Sequence, residues 1–365
     1  MMRFIAMYLP QYHPIPENDK WWGKGFTEWT NVTKAKPLFN GHKQPNLPGE
    51  LGFYDLRVHE VREQQAALAR EYGIEGFMYW HYWFAGRRIL ERPFQEVLES
   101  GKPDFPFCLG WANETLCGIW HGAPDKILIQ QTYPGVEDYK NHFNAILPAF
   151  HDSRYILVND MPLFFIYRPF HIPDCSLFIK TWRNLVKNTG LKGIYFVGFS
   201  GDPDNQYNKL LELGFDGVYS QRIDEAKEAI ININSIINRL KSKLCQKGMK
   251  LKYTTEGIYK YKDFIKYLIK QNDAKINMYP MLLPNWDNSP RSGSNGMIIE
   301  NSTPELFQKH LNDVLDIVKN KPIEHRIIFI KSWNEWAEGN YLEPDLLYGR
   351  QYLEIFKKTI DNFKK

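Results

Sequence analysis

Short apolar runs bounded by turn-forming residues recur along the chain, and longer segments with a helical period separate them. The runs predict strands over Phe4–Leu9, Ile74–Trp80, Phe107–Trp111, Leu163–Tyr167, Ile194–Phe199, Gly217–Ser220, Ile276–Leu282 and Ile327–Ile330. Helices are predicted over Asp55–Tyr72, Pro93–Ser100, Glu137–Phe150, Leu177–Asn188, Asn208–Leu213, Glu225–Leu244, Pro304–Lys319 and Gly349–Phe363. The first sets Val58, Val61, Ala66, Leu68 and Ala69 among charged residues and stops at Tyr72-Gly73, where glycine suits a helix end.

Strand–helix alternation repeated eight times means a parallel sheet, and that number points to an α/β fold closed as a (β/α)8 TIM barrel. A doubly wound open sheet is the rival, but it gathers its ligand at one switch point. Here the unusual residues follow many strands, which favours the barrel. Residues 221–275 are too long for one helix and are expected to form a helical insertion between strands 6 and 7 of a single domain, 1–365.

Composition changes this picture in three places. Aromatic residues make up 15% of the 365, and all 11 Trp except Trp182 lie in the first thirty residues or near predicted strand ends. A net charge of +4 is too mild for a nucleic-acid footprint. Much of it is local, in Arg239, Lys241, Lys243, Lys247, Lys250 and Lys252, which read as a solvated helix face before a patch for an anionic surface. The four cysteines show neither metal nor disulfide spacing. The opening MMRFIAMYLPQYHP lacks a long apolar segment, and no window of eighteen apolar residues exists, so a cytoplasmic location is expected.

Barrel enzymes carry their reacting groups at the carboxyl ends of the strands. Strand one runs through Tyr8 to Gln11, Tyr12 and His13, then Trp21-Trp22 and Glu28-Trp29. Strand two leads into Tyr79-Trp80-His81-Tyr82-Trp83, strand three into Trp111-Ala112-Asn113-Glu114, and strand four into Tyr167-Arg168. Strand seven leads to Trp286-Asp287-Asn288 and Arg291, and strand eight to KSWNEWAEGNYLEPD, Lys331–Asp345. Planar side chains stack on sugar ring faces, and amides and carboxylates hold vicinal hydroxyls. The expected sugar contacts are Tyr8, Gln11, His13, Glu28, Trp29, Tyr79, His81, Trp83, Trp111, Asn113, Glu114, Arg168, Trp286, Asp287, Asn288, Trp333 and Asn334.

Glycosidic cleavage normally needs one acid to protonate the leaving oxygen and a second carboxylate as base or nucleophile. Glu335 and Glu338, three positions apart and bracketed by Trp333 and Trp336, are the candidate catalytic pair. They are expected to open onto one indole-lined hollow with His81 and Trp286, with Trp333 and Trp336 as an apolar wall that raises the acid's pKa. Hard oxygen donors at Asp287, Asn288, Glu335 and Glu338 also suit Mg2+ or Ca2+, but acids are not clustered as such sites require, so no metal and no cofactor are expected.

The segments MYLPQYHPIPENDKWWGKGFTEWTNV, GFMYWHYWF, GWANE, NWDNSPR and SWNEWAEGNYLEPD resemble the WbsX family, whose members are described as glycosyltransferases of lipopolysaccharide O-antigen loci and as glycoside hydrolase family 99-like proteins. The resemblance implies a barrel acting on glycans. From the matching motif of family 99 it also implies that Glu335 takes the proton of the sugar's own 2-hydroxyl, while Glu338 serves as acid and then base. The implied intermediate is a 1,2-anhydro sugar and the outcome retention. The chain departs from the family pattern at Thr115-Leu116-Cys117-Gly118, which follows GWANE.

Three functions remain open on the sequence. The first is a retaining glycosidase or transglycosylase acting on an oligo- or polysaccharide. The second is a glycosyltransferase of O-antigen assembly, whose lipid-linked glycan at a membrane surface the lysine stretch would meet. The third is a catalytically silent glycan-binding barrel.

Overall fold

The computed structural model describes residues 2–118, 123–233 and 257–363. Eight parallel strands close into a ring: β1 (Arg3–Tyr8), β2 (Gly76–Phe84), β3 (Phe107–Trp111), β4 (Met161–Ile166), β5 (Tyr195–Ser200), β6 (Gly217–Ser220), β7 (Met278–Leu282) and β8 (Ile327–Ile330). Closure is made by β1, which pairs with β8 from Arg3↔Ile327 to Ala6↔Ile330 and with β2 from Ile5↔Gly76 to Tyr8↔Tyr79. Each predicted strand coincides with one of the eight. The rival open sheet is excluded, because an open sheet would leave β1 or β8 with a free edge.

Among the described residues, seven helices cover the ring: α1 (His59–Glu71), α2 (Arg92–Ser100), α3 (Val136–Phe150), α4 (Cys175–Leu185), α5 (Pro203–Glu212), α6 (Pro304–Val318) and α7 (Gln351–Phe363). Inside the barrel, Phe165 packs against Trp80, Tyr219 and Phe329 with ring centroids 5.8, 5.5 and 5.7 Å apart, so the lumen is filled and the site lies above it. No helix among the described residues is long and apolar enough to cross a membrane.

The region 221–275 is only partly helical where it is described. Residues 223–233 form a helix, but Ile258–Lys260 is a strand that pairs with Ile298–Glu300, itself paired with Trp286–Asp287. This small sheet lies over the β7 end, so the region is fastened to the barrel mouth. Its base is held by buried Arg222, which pairs with Asp273, Asp204 and Glu225. The lysine-rich stretch, the end of the predicted helix Glu225–Leu244, and Ile119-Trp120 lie outside the described residues.

Candidate active site

The turn after β8 presents two opposite faces. One is bolted to the scaffold. Asn334 accepts from the Leu9 amide at 2.7 Å and donates to the Leu9 carbonyl at 3.1 Å. The Trp333 amide donates to the Met7 carbonyl at 2.8 Å, and Tyr12 hydroxyl accepts from the Trp336 amide at 3.1 Å. Glu343 accepts from the Trp336 indole (2.7 Å), Gln65 (2.7 Å) and Tyr54 (2.9 Å), and burial pushes its carboxyl up to about 7. Trp333 and Trp336 are therefore buried beneath the turn, which corrects their expected place beside the acids.

The other face carries Glu335 and Glu338 into a pocket of about 170 Å3 lined by Trp80, Tyr82, Glu114, Tyr167, Trp286 and Lys331. Two cations stand between the carboxylates. Arg291 lies 2.6 Å from Glu338 and 3.9 Å from Glu335, and its Nε donates to Glu28 at 3.1 Å. Lys331 lies 3.4 Å from Glu335 and 3.8 Å from Glu338, with its ammonium 5.0 Å from the centre of the Trp286 ring.

These distances split the pair. Burial and the charge of Glu338 raise the Glu335 carboxyl above its ordinary value, although Lys331, Arg291 and the Ser332 hydroxyl (3.0 Å) oppose the rise. Burial also acts to raise Glu338, but the closer Arg291, with Lys331 and Asn340 (3.2 Å), overcomes it and holds the group low. Burial alone would discharge Arg291 and Lys331; the surrounding carboxylates more than offset it, so both remain cations. Of two acids in one pocket, Glu335 takes a proton first.

The acid pocket adjoins two others. It shares Tyr82 and Glu335 with an arm of about 130 Å3 that also holds Gln11 and Glu28. On the opposite side it shares Tyr167, Gln221 and Trp286 with a wider space of about 610 Å3 that holds Arg168 and Asn288. The result is one groove across the barrel mouth with both acids at its middle.

Of the expected sugar contacts, the groove gathers Gln11, Glu28, Glu114, Arg168, Trp286 and Asn288 with the two acids. The others are elsewhere, and for those on the barrel strands parity is the reason. Side chains alternate across a strand. On β2, Trp80 and Tyr82 face the mouth, so Tyr79, His81 and Trp83 face the helices. Tyr79 packs on Phe94 of α2, while His81 meets His142 of α3 at 2.9 Å and Trp83 stacks on that same imidazole. Trp111 likewise packs on His142 and Phe178, and Tyr8 donates to Gln65 of α1 at 2.7 Å. The expectation that His81 shares the hollow is overturned.

Four further residues are scaffold. Trp29 packs on Tyr12 and Trp336 and donates to the Tyr54 carbonyl. Asn113 bonds Tyr133 and the Arg168 backbone. His13 is buried, and that burial lowers it to about 4. Asp287 turns behind the acids to accept from His42 (2.7 Å) and Gln44 (2.6 Å). The groove residues around the acids that the expected set lacks include Trp80, Tyr82, Tyr167, Gln221, Arg291 and Lys331. All but Arg291 follow from one rule, counting two positions on from an inward strand residue. Among the described residues no cluster of His, Cys, Asp or Glu has the makings of a metal site.

The family profile described as Glycosyltransferase WbsX matches residues 4–356. The chain belongs to the WbsX family. A relative, the uncharacterized protein WxcX of Xanthomonas campestris pv. campestris, strain B100, is 35% identical over 360 residues, 98% of this chain and 49% of WxcX. The chain thus spans about half the length of the curated relatives it matches. Among solved structures, the GH99 endo-alpha-mannosidase from Bacteroides thetaiotaomicron superposes with a TM-score of 0.61 at 14% identity, covering 99% of this chain and 97% of the other. A glycoside hydrolase-like protein superposes with a TM-score of 0.61 at 13% identity, over 98% and 93% of the two chains. At these identities the superpositions show a shared barrel.

Proposed function

We infer that this protein breaks or transfers a glycosidic bond of a bacterial surface polysaccharide, with retention of configuration, and that Glu335 and Glu338 react as a pair. The observation behind this reading is the placement of both carboxylates in one aromatic-lined pocket at the centre of a through-going groove. Two carboxyl groups with opposed proton affinities are what acid and base steps on one bond require.

In the mechanism supported by the family resemblance, Glu335 removes the proton from the 2-hydroxyl, and O2 attacks C1. The bond from C1 to the leaving oxygen breaks as Glu338 gives that oxygen a proton. Water or an acceptor hydroxyl then opens the 1,2-anhydro sugar at C1, returning a proton to Glu338 while O2 recovers the one held by Glu335. The resting charges run the other way, with Glu338 held low by Arg291. Arg291 already has a second carboxylate in Glu28. A sugar that draws it fully onto Glu28 frees Glu338 to take up the proton it must donate.

The family description favours a nucleotide-sugar transferase as a second reading. Against it, among the described residues Arg291, Lys331, Arg168 and Lys227 at the groove are each paired with a carboxylate rather than open to a diphosphate. Incubation with candidate O-antigen, with and without nucleotide sugars and read by mass spectrometry, separates the readings. New reducing ends without nucleotide are expected. Incorporation only from a nucleotide sugar establishes the transferase. Binding without turnover, unaffected by Glu338→Gln, establishes a silent barrel.

A further inference from the structure

We propose that the arm of the groove on the Tyr82 side of Glu335 binds an N-acetylated sugar and recognises it by the acetamido group. This rests on the glycan-acting reading of the same groove and names a sugar class within it.

The two ends of the groove carry different side chains. The wide end sets Arg168, Asp202, Gln206, Asp224 and Lys227 beside Phe170, Phe199 and Met297. The narrow arm is walled by Ile89, Leu90, Leu116 and Leu128 together with Trp21 and Trp22. Ile89 and Leu90 belong to a small apolar cluster with Ile15 and Phe84, separate from the barrel core, and Tyr82 and Leu116 pack against it. Leu90 is held at φ +56°, a left-handed conformation that a leucine adopts only under constraint from its surroundings. Apolar side chains are thus brought to line a pocket beside the acids.

Gln11, Glu28, Tyr82, Arg291 and Glu335 also line the arm, and Asn18 adds an amide to its apolar wall. Asn18, 2% exposed on the short helix Pro16–Trp22, lines the arm, and its amide nitrogen has no hydrogen-bond partner. A buried donor left unpaired carries a cost that a ligand acceptor removes. A plain hexose brings hydroxyls but no methyl for the leucines. A 6-deoxy sugar brings a methyl without a carbonyl beside it. An acetamido group brings both a few bonds apart, and its own N–H complements the amide oxygen of Asn18, so the match holds in either orientation of that amide. Glu335 stands at the junction of arm and acid pocket, which makes the recognised sugar a neighbour of the reacting bond.

Saturation-transfer NMR on the full chain, with N-acetylglucosamine, N-acetylgalactosamine, glucosamine, glucose and L-fucose each in turn, tests this. The acetamido methyl should carry the strongest saturation, with N-acetyl sugars binding about tenfold tighter than their unacetylated counterparts. Asn18→Ala should abolish that preference. Because Asn18 is buried and its loss can unfold the chain, Leu116→Asp at the partly exposed wall should do the same, with circular dichroism showing both variants folded at the temperature of measurement. Equal binding of glucose and N-acetylglucosamine, or a fucose methyl signal above the acetamido one, overturns the proposal while sugar binding itself stands. Silence from all five sugars also overturns it. Release of reducing ends from polysaccharide that is lost in Glu335→Gln would then still uphold the glycan reading.

Discussion

Glu335 with Glu338, and His81 with His142, are both buried pairs of titratable groups among indoles, yet their surroundings differ in kind. The imidazoles meet at 2.9 Å inside a shell of Trp83, Trp111 and Trp182, whose rings lie 4.8, 4.7 and 5.0 Å from that of His142. Burial pushes His81 down to about 3, and His142 is lowered as well, so both stay neutral and one donates to the other. The carboxylates are also buried, but Arg291 and Lys331 stand between them and a groove reaches them. Aromatic density therefore marks packing and site alike; countercharge and access tell them apart.

The comparison fails at once if the acids are dispensable. Glu335→Gln and Glu338→Gln should each lower kcat/KM on the polysaccharide by about 10^2- to 10^4-fold. Circular dichroism and the melting temperature should stay as in the parent, and near-parental activity would move the chemistry elsewhere. His142→Ala should behave conversely. Emptying that aromatic shell costs about 3 kcal/mol in urea unfolding, with kcat/KM per folded molecule nearly unchanged; a large loss of activity would put the imidazoles in the site after all.

Arg291→Gln sharpens the contrast. Without the guanidinium the Glu338 pKa rises, so the acid limb of the kcat/KM profile should move to higher pH by about one unit. An unmoved limb would show that Arg291 does not set it. The smallest effect is on stability. His81 is near 3 when folded and about 6.5 when unfolded, so between those values the unfolded chain binds more protons. Its contribution is whole above the upper value and declines as pH falls, by about 1.4 kcal/mol per pH unit. Urea titrations of His81→Phe should show a slope shallower by that amount, and an unaltered slope would mean the imidazole is solvated.

The barrel was legible because each strand is a short apolar run and each helix between them keeps its period, signals that survive without tertiary information. That Glu335 and Glu338 share one pocket was legible because two acids this close in an aromatic segment make a poor core. Faces were harder. Trp80 and Tyr82 alternate with Tyr79, His81 and Trp83 along β2 (Gly76–Phe84), where nearly every position is apolar or aromatic, so composition does not say which set points inward. Trp333 and Trp336 lie in a turn, which has no period, and their burial is decided by Met7, Tyr12 and Glu343 from distant parts of the chain. Arg291 was visible in NWDNSPR, but its shared hold on Glu28 and Glu338 exists only once the β7 loop folds over the mouth.

Gly339 has φ +60°, and a Cβ there would stand 2.6 Å from the Asp287 amide nitrogen, while Asp287 itself is gripped by His42 and Gln44. Loops leaving three different strands are thus locked into one stiff bank of the cleft. Amides around 42–46, 286–289 and 337–341 should exchange with deuterium in step, protected or released together, and any widening that admits a bulky ligand has to come from the facing shore.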